Sequence, residues 1–264
     1  MKLRFLGVGT AASGPEQYQS NMLITNRAGR HLLLDCGGDI RFSLAACGIA
    51  ATDLAGVYIS HLHGDHIGGL EWLALGSRFA PVPRRPPLYC EEAQLRRLWD
   101  HALRAGLECV DGAMLTLADY FDCRPLSVAE GFEWEGITAE LIKMPHVLAG
   151  TGEHPSFGLL LHEAPGPRVF ISTDTRFAPD LLAPIADRVD LIFHDCETSP
   201  VPSGVHTPYT DLLRLPDALR ARIWLYHYQP APHLDPLADG FRGFVTRGQV
   251  FDLDRLFPPA GLAA

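Results

Sequence analysis

Residues 56–66 read GVYISHLHGDH, and this stretch sets both the expected fold and the expected chemistry. Its first half is a short apolar run that begins at a glycine, which is typical of a buried β-strand. Its second half is a loop that carries His61, His63, Asp65 and His66. Side chains in such a loop can converge on a ligand without belonging to the core. Imidazole suits zinc, iron or manganese, and the carboxylate adds charge for a second cation.

Three further side chains of metal-binding types come directly after apolar strands. His146 follows TAELIKMP, Asp174 follows RVFIST, and His227 follows RIWLY. Polar groups that repeatedly follow strands are expected to meet at one edge of a sheet, near residues 61–66. The seven side chains together exceed the three or four ligands of one zinc ion. They suit two ions about 3.5–4 Å apart, with Asp174 as the bridging carboxylate.

The expected cofactors are therefore two divalent metal ions, with zinc preferred and manganese or iron as alternatives. No organic cofactor is expected. Gly7-Val-Gly9 lacks the third glycine of a dinucleotide fingerprint, because that position is Ala12. The sequence also contains no GxxxxGK[ST] phosphate loop and no GxSxG nucleophile motif.

The composition favours a folded enzyme over a nucleic-acid binder or a membrane protein. Hydrophobic residues make up 47% of the 264 residues, which is enough for a large core. Lysine and arginine total 22 against 31 acidic residues, and the net charge of −9 repels a phosphate backbone at long range. The sequence shows neither a signal peptide nor a run of about 18 apolar residues.

These bulk properties lead to five expectations. Residues 1–264 form a single domain, and the protein is cytoplasmic with no membrane association. Its six cysteines are reduced and mostly buried, since no pair has CxxC spacing. Its partner is a small anionic substrate rather than a nucleic acid. An exposed apolar face of the predicted sandwich can also support a homodimer.

Hydrophobic periodicity predicts strands followed by helices, in an order that repeats in the second half of the chain. The predicted strands are 2–9, 22–25, 31–37, 56–60, 88–90, 156–162, 168–173, 189–195, 222–228 and 248–253. The predicted helices are 39–50, 68–79, 91–107, 178–188 and 210–222, the last with a break before Pro216. Residues 110–143 are predicted to be strands and loops. This order fits an α/β sandwich of two sheets with helices outside.

The motif HLHGDH, followed in order by His146, STDT around Asp174 and LYHY around His227, resembles the metallo-β-lactamase superfamily. The resemblance covers nearly the whole chain. STDT and residues 194–212, which contain HDCET and HTPYTDL, are similar to the ribonuclease Z-like phosphodiesterase branch. The resemblance implies a four-layer αβ/βα sandwich, the metallo-β-lactamase fold, with metals at the sheet edges. It implies that Asp174 bridges two ions, one held by His61, His63 and His146 and the other by Asp65, His66 and His227.

The same resemblance implies that His206 assists the leaving oxygen, because a histidine in the corresponding loop of that branch has this role. Asp65 is predicted to accept the nucleophile's proton while it also binds a metal. A supporting role near the ligands is the preferred interpretation of His194, Asp195 and Glu197. His154, in the predicted loop after His146, is a candidate for the mouth of the site.

The function predicted from these residues is a binuclear metal-dependent hydrolase. The preferred substrate is a small or cyclic phosphodiester, such as a cyclic nucleotide, attacked by a metal-bridging hydroxide. Processing of tRNA 3′ ends is disfavoured, because the sequence lacks the long basic arm of the ribonuclease Z enzymes. Alternatives are a lactone, thioester or β-lactam hydrolase on the same scaffold, and a non-catalytic metal-binding protein. The substrate depends on predicted loops 10–21, 76–87 and 147–156, whose shapes the sequence does not define.

Overall fold

The computed structural model describes residues 1–110, 112–150 and 152–258. The strands, in chain order, are β1 (Lys2–Phe5), β2 (Met22–Thr25), β3 (His31–Leu34), β4 (Leu54–Ile59), β5 (Pro87–Glu91), β6 (Cys109–Val110), β7 (Ala113–Met114), β8 (Asp122–Leu126), β9 (Phe132–Trp134), β10 (Ile137–Ala149), β11 (Gly152–His162), β12 (Arg168–Ile171), β13 (Leu191–Asp195), β14 (Ile223–Tyr226), β15 (Gly243–Phe244) and β16 (Val250–Asp252). The α-helices are α1 (Ile40–Ala46), α2 (Gly64–Ile67), α3 (Leu70–Arg78), α4 (Glu92–Leu98), α5 (Arg104–Leu107), α6 (Leu117–Tyr120), α7 (Pro179–Ala186), α8 (Tyr209–Leu212), α9 (Asp217–Arg220) and α10 (Leu253–Leu256).

Two large sheets carry most of these strands. The first has the order β16-β1-β2-β3-β4-β5-β8, and the second has the order β15-β14-β13-β12-β11-β10-β9. Each sheet joins an antiparallel part to a parallel part, with β3-β4-β5-β8 parallel in the first and β12-β13-β14-β15 parallel in the second. The carboxyl ends of parallel strands lie at one edge, which is where open α/β sheets place their ligands.

The side chains of each sheet alternate between two cores. In β3, Leu32 and Leu34 pack in the core between the sheets, whereas Leu33 packs against the helices outside the first sheet. In β12, Val169 packs between the sheets and Phe170 faces the helices of the second sheet. This period of two arises from the strand pleat. Both faces of both sheets are thus covered, which gives the four-layer αβ/βα sandwich that the sequence predicted.

The outer layers are helical. Helices α1, α3 and α4 contribute buried residues to the core outside the first sheet, and α7, α8 and α9 contribute to the core outside the second. The predicted break before Pro216 is confirmed, because α8 ends at Leu212 and α9 begins at Asp217. No helix in the described part of the chain is long and apolar enough to cross a bilayer.

The predicted loop 147–156 is wrong. Strands β10 and β11 run through it as one long hairpin, with Val147 paired to His154 and Ala149 paired to Gly152. Two prolines, Pro145 and Pro155, disguise the strand pattern, because proline removes a backbone donor from a ladder. The strand tolerates them through a shift of register between Met144 and Val147. The region beside the site is therefore a hairpin of paired backbone rather than an irregular loop.

The predicted helix 68–79 is wrong at its start, because helical structure begins at Gly64 and breaks before α3. Asp65 and His66 consequently lie in helix α2 and not in a loop. The break lies at Gly68 and Gly69, where the backbone passes close to a neighbouring turn. A Cβ atom on Gly69 would lie 2.4 Å from the carbonyl oxygen of Gly37, so only glycine fits there.

Residues 110–143 contain one helix, α6, that the sequence analysis missed. Thr116 and Asp119 form a reciprocal cap at its start, and the Thr116 backbone N–H donates to the Asp119 carboxylate at 2.8 Å. Predicted helix 91–107 is continuous but contains a π-helical turn at Trp99–Leu103. All six cysteines are free; Cys36, Cys90 and Cys196 are buried, two are partly exposed and Cys109 is exposed, so half of them and not most are buried.

Candidate metal centre

All seven predicted metal-binding side chains meet at one edge of the sandwich. His61 follows β4, Asp174 follows β12 and His227 follows β14. The carboxyl ends of these three strands lie at the same edge of the sandwich. His146 is different: it lies inside β10, beside the shift of register, and not after a strand as predicted. The side chains fall into two groups that share Asp174.

The first group, called the open group, consists of His61, His63, His146 and Asp174. His61 Nε2 and His146 Nε2 each lie 3.1 Å from His63 Nδ1. His61 Nε2 lies 3.5 Å from Asp174 Oδ2. His63 is exposed, whereas the other three members are buried. One side of this group therefore faces solvent.

The second group, called the buried group, consists of Asp65, His66, Asp174 and His227. Asp174 Oδ2 lies 3.2 Å from His66 Nε2 and 3.5 Å from His227 Nε2. Asp65 Oδ2 lies 3.4 Å from His66 Nε2 and 3.5 Å from His227 Nε2. All four members are buried.

Both groups have the spacing that a metal ion requires. Ligand atoms about 2.0–2.1 Å from a tetrahedral zinc ion lie roughly 3.3–3.4 Å from one another. Seven of these distances, from 3.1 to 3.5 Å, are close to this value, and His146 Nε2 lies farther from Asp174 Oδ2, at 3.9 Å. Both carboxylate oxygens of Asp174 are buried and accept no hydrogen bond from the described residues. A buried carboxylate without partners is costly, and a cation in each group would satisfy it.

Outer hydrogen bonds orient His61, His66 and His146 with Nε2 toward the centre. His66 Nδ1 lies 2.8 Å from Asp35 Oδ2, and His146 Nδ1 lies 2.8 Å from the Val205 carbonyl oxygen. Ser60 Oγ lies 3.0 Å from His61 Nδ1 and donates to Asp35 Oδ2 at 2.7 Å. Metal-binding histidines commonly bond a carboxylate or a carbonyl through their second nitrogen. The residues present thus fit a pair of divalent cations.

The two groups differ in their electrostatics. In the open group, burial is the largest influence and lowers the pKa of His61, His63 and His146. These imidazoles are consequently neutral near pH 7, which is the form that binds metals.

In the buried group, the nearby carboxylates affect the histidine pKa values more than burial does. Burial opposes charge on His227, but Asp174 and the hydrogen bonds to Asp195 and Asp65 outweigh it and raise the pKa of His227 to about 10. Burial also opposes charge on His66, but nearby carboxylates, Asp174 first, raise its pKa well above the ordinary value. Positive charge is therefore favourable in the buried group, as a cation site requires.

The backbone is strained at the strand ends that carry these groups. Asp35, Thr173 and His227 have φ angles of 64°, 54° and 63°, in the left-handed region that non-glycine residues rarely occupy. Thr173 is β-branched, so its conformation is the least favourable of the three. Such strain persists only where the surrounding structure imposes it, and it concentrates at functional sites.

His206 lies beside both groups. Its Nδ1 donates to Asp195 Oδ2 at 2.9 Å and is 3.9 Å from Asp174 Oδ2. Its ring stacks on His227 with a centroid distance of 4.6 Å. Burial lowers the pKa of His206, but the charge and hydrogen bond of Asp195 outweigh it and raise the pKa. This arrangement leaves Nε2 of His206 available as a donor to a ligand.

His194, Asp195 and Glu197, the three candidates for a supporting role, make different contacts in the structure. Asp195, at the end of β13, contacts His206 and accepts from the Thr175 backbone N–H at 2.8 Å. Glu197 accepts from the Ser203 backbone N–H at 2.9 Å, within the loop that leads to His206. His194 is buried and bonds only the Asp195 carbonyl oxygen among the described residues.

A cavity of about 560 Å³ opens directly beside the open group. His61, His63 and His146 form its inner end. His154, proposed for the mouth of the site, lines its wall together with Arg97. The buried group does not border this cavity, because the lining residues include none of Asp65, His66, Asp174 and His227.

Sequence reasoning missed Asp35, Ser60 and Arg97. Asp35 follows the apolar strand β3 directly, which is the same signal that identified Asp174 and His227, so it could have been found. Ser60 lies between β4 and His61 and differs from other serines only through its contacts. Arg97 lies in the middle of a helix, where no sequence pattern indicates a site.

Comparisons with known proteins agree with this geometry. A family described as "Anti-Pycsar protein Apyc1" matches residues 1–251. An Anti-Pycsar protein Apyc1 from Paenibacillus harenae is 34% identical over 230 residues, covering 86% of this chain and 90% of that protein. The chain belongs to the Anti-Pycsar Apyc1 family.

Solved structures similar to this Apyc1 family member have the metallo-β-lactamase fold. Zn(2+)-bound PqqB from Methylobacterium extorquens has a TM-score of 0.73 at 17% identity and covers 96% of this chain and 100% of that chain. A diphosphatase from the PhnP family has a TM-score of 0.71 at 19% identity, covering 95% of this chain and 97% of that chain. Identities this low establish the fold alone.

The predicted resemblance is thereby confirmed. The chain has the predicted αβ/βα fold, which it shares with the metallo-β-lactamase fold protein YhfI from Bacillus subtilis and with human tRNase Z. Its histidine and aspartate groups are suited to divalent metals.

Proposed function

We propose that this Apyc1 family member is a binuclear metal-dependent phosphodiesterase that hydrolyses a small cyclic phosphodiester. The observation that carries this proposal is the pairing of two complete ligand groups around Asp174 with a third element, His206, held by Asp195. A single metal would need only one of the groups. A binding protein would not need His206.

The geometry of the two groups supports a proposed assignment of the metal ligands. His61, His63 and His146 would hold one divalent ion; Asp65, His66 and His227 would hold the other; Asp174 would contact both. Zinc is the preferred ion, because imidazole and carboxylate at tetrahedral spacing suit it, and manganese or iron fit the same donors. When bound, the two ions supply Lewis acidity and lower the pKa of water in the site.

Asp65 has a position suited to handling a proton. Its carboxylate lies at the edge of the buried group and approaches His66 and His227 at 3.4–3.5 Å. Burial opposes its ionisation, but His66 and His227 outweigh burial and lower the pKa of Asp65. The carboxylate is thus ionised near pH 7 and can accept a hydrogen bond from the attacking water and hold it in line.

We assign His206 to the leaving group, whereas Asp65 is assigned to the attacking water. Asp195 fixes the His206 ring through Nδ1, so a proton on Nε2 can be donated to the oxygen that leaves phosphorus. Asp195 itself stays ionised, because its contacts with His206 and His227 outweigh burial and lower its pKa to about 2. The Glu197 contacts hold the loop that brings His206 to this position.

Two observations favour a small cyclic substrate over a long nucleic acid. The cavity beside the open group has a volume of about 560 Å³, within the range of about 300–1,000 Å³ that small-ligand sites occupy. The chain carries a net charge of −9, which opposes a polyanion. Cyclic nucleotides are the substrates that we propose.

The test is turnover by protein reconstituted with zinc or manganese, with metal content measured by elemental analysis. We expect hydrolysis of bis-p-nitrophenyl phosphate and of 3′,5′-cyclic nucleotides, with about two ions per chain. Nitrocefin, an aryl lactone and a precursor tRNA serve as comparison substrates. Good turnover of one of these, with none of the phosphodiesters, would assign the chain to that alternative chemistry. A metal-loaded sample inert to all of them would support a non-catalytic protein.

A further inference from the structure

The shift of register in the β10–β11 hairpin leaves two backbone carbonyl groups of β10 without a donor opposite them. The shift lies between Met144 and Val147. Two residues of β10, Pro145 and His146, consequently stand opposite one residue of β11, Pro155. Pro155 has no backbone N–H to donate. The carbonyl groups of Pro145 and His146 therefore need donors from another part of the chain, because an unpaired carbonyl in the protein interior is costly.

Both carbonyl groups accept hydrogen bonds from Arg176, two residues after Asp174. The Arg176 backbone N–H donates to the Pro145 carbonyl oxygen at 2.8 Å, and the side-chain Nε donates to the His146 carbonyl oxygen at 2.7 Å. The Thr175 hydroxyl donates to the Pro145 carbonyl oxygen at 3.1 Å. The side-chain bond is charge-assisted and thus stronger than a neutral one. The segment that carries His146 is therefore attached to the turn that carries Asp174.

His146 lies in a hairpin, unlike the other members of the open group. His61 and His63 come directly after the parallel strand β4, and Asp174 comes after β12. Both neighbours of β10, which are β9 and β11, are antiparallel to it. The shared edge of the parallel strands therefore does not place His146 beside the other donors. Contacts from another segment must do so, and Arg176 supplies a charge-assisted one.

Arg176 supports His146 without reaching the substrate space. Arg176 does not line the cavity beside the open group, whereas His146 does. The His146 ring has a separate support, because its Nδ1 donates to the Val205 carbonyl oxygen at 2.8 Å. His146 is thus fixed at its backbone by Arg176 and at its ring by Val205. These two contacts direct Nε2 into the open group, where it lies 3.1 Å from His63 Nδ1.

We propose that Arg176 is a positioning residue of the open group and that its Nε–H fixes His146 relative to Asp174. Loss of this hydrogen bond leaves the His146 carbonyl without its donor and allows the strand to shift. The open group then loses affinity for its metal ion, whereas the buried group, which does not contain His146, retains its own. The inference rests on the proposed binuclear function and adds to it a residue that binds neither metal nor substrate.

Three substitutions separate the hydrogen bond of Arg176 from its charge. Arg176→Met has a similar length but neither donor nor charge. Arg176→Gln places its amide nitrogen as many bonds from Cα as Nε of arginine, so it retains the donor without the charge. Arg176→Lys keeps the charge but has a methylene group in place of Nε. Arg188→Met is the control, because Arg188 is an exposed arginine that pairs with Glu140 and does not line the cavity.

The main measurement is the metal affinity of each group, obtained by competition with a chelator. The binding step that is missing in His63→Ala identifies the open group. In Arg176→Met and Arg176→Lys, the affinity of the open group should fall by about 10–100-fold, while that of the buried group stays within about threefold of the wild type. Arg176→Gln and Arg188→Met should stay within about threefold at both groups. Equal losses in Arg176→Gln and Arg176→Met would overturn the proposal, because the charge and not the hydrogen bond would then matter.

Thermal unfolding of the metal-free protein distinguishes positioning from a general contribution to stability. The Tm of metal-free Arg176→Met should fall by no more than about 5 °C, as expected from the loss of one charge-assisted hydrogen bond. A larger fall, with both groups weakened equally, would overturn the proposal. If the wild type binds fewer than two ions or hydrolyses no phosphodiester, the proposed function fails and this inference fails with it. If the wild type does both and Arg176→Met keeps the wild-type affinity at the open group, only the role of Arg176 is wrong.

Discussion

The open and buried groups use similar donors in different surroundings. The open group has three neutral imidazoles, and its exposed member, His63, borders the cavity. The buried group has two carboxylates, and Asp35 and Asp195 lie behind its histidines. Carboxylates stabilise a cation in the buried group before any substrate arrives, whereas the open group leaves one face for the substrate. We infer that the buried group retains its ion more firmly and that the open group positions the substrate.

The largest expected effect comes from substituting Asp174, the residue that the two groups share. Asp174→Asn removes the charge common to both and should lower kcat by more than about 10³-fold, since loss of even one preorganised electrostatic donor costs about 10²–10³-fold. Elemental analysis should show loss of metal from both groups. Asp180→Asn, an exposed aspartate at the start of α7, is the control and should keep both. Full metal content in Asp174→Asn would contradict the shared role.

An intermediate effect on kcat is expected from a substitution that removes the proposed proton donor, His206, but no metal ligand. His206→Ala should lower kcat by about 10²-fold, the usual contribution of a general acid, while the metal content stays unchanged. His233→Ala, which replaces an exposed histidine away from the motifs, should leave both quantities unchanged. If His206→Ala loses metal, His206 is a ligand, and its proposed role as proton donor is wrong.

The smallest expected effect concerns the difference in metal affinity between the buried group and the open group. Asp35→Asn weakens the support behind His66 and should lower the affinity of the buried group for metal by about 10–100-fold, as measured by competition with a chelator. Asparagine tolerates the positive φ of this position, so the backbone is preserved. The affinity of the open group should fall less, because Asp35 reaches His61 only through Ser60. A parallel loss of both ions would show that the two groups are not distinct.

Much of the fold could be predicted from local patterns. Apolar runs such as β4, β12 and β13 identify buried strands, and the break before Pro216 follows from proline chemistry. The wrong prediction of a loop at residues 147–156 arises from two prolines. Pro145 and Pro155 concealed the β10–β11 hairpin, because its tolerance for proline depends on a register shift that only strand pairing creates.

The predictions on the site divide in the same way. The residue types and the HLHGDH motif were sufficient to select the seven candidate metal ligands, and the structure brings them together, although His146 lies inside β10 and not after a strand. The partners behind them could not be selected, because Ser60 and Arg97 acquire their meaning from contacts alone. The single domain, the cytoplasmic location and the homodimer stay predictions.

The sequence by itself determined the donor chemistry of the centre and the order of the strands that carry it, because side-chain identity and period-two patterning are local properties. Only the tertiary structure decided which donors are shielded and which face a cavity. Asp65 and His227 are separated by 162 positions and meet at 3.5 Å only because parallel strands of two sheets end at a common edge. Burial, pKa and the open side of the centre all follow from that packing, and none of them is encoded in a short stretch of residues.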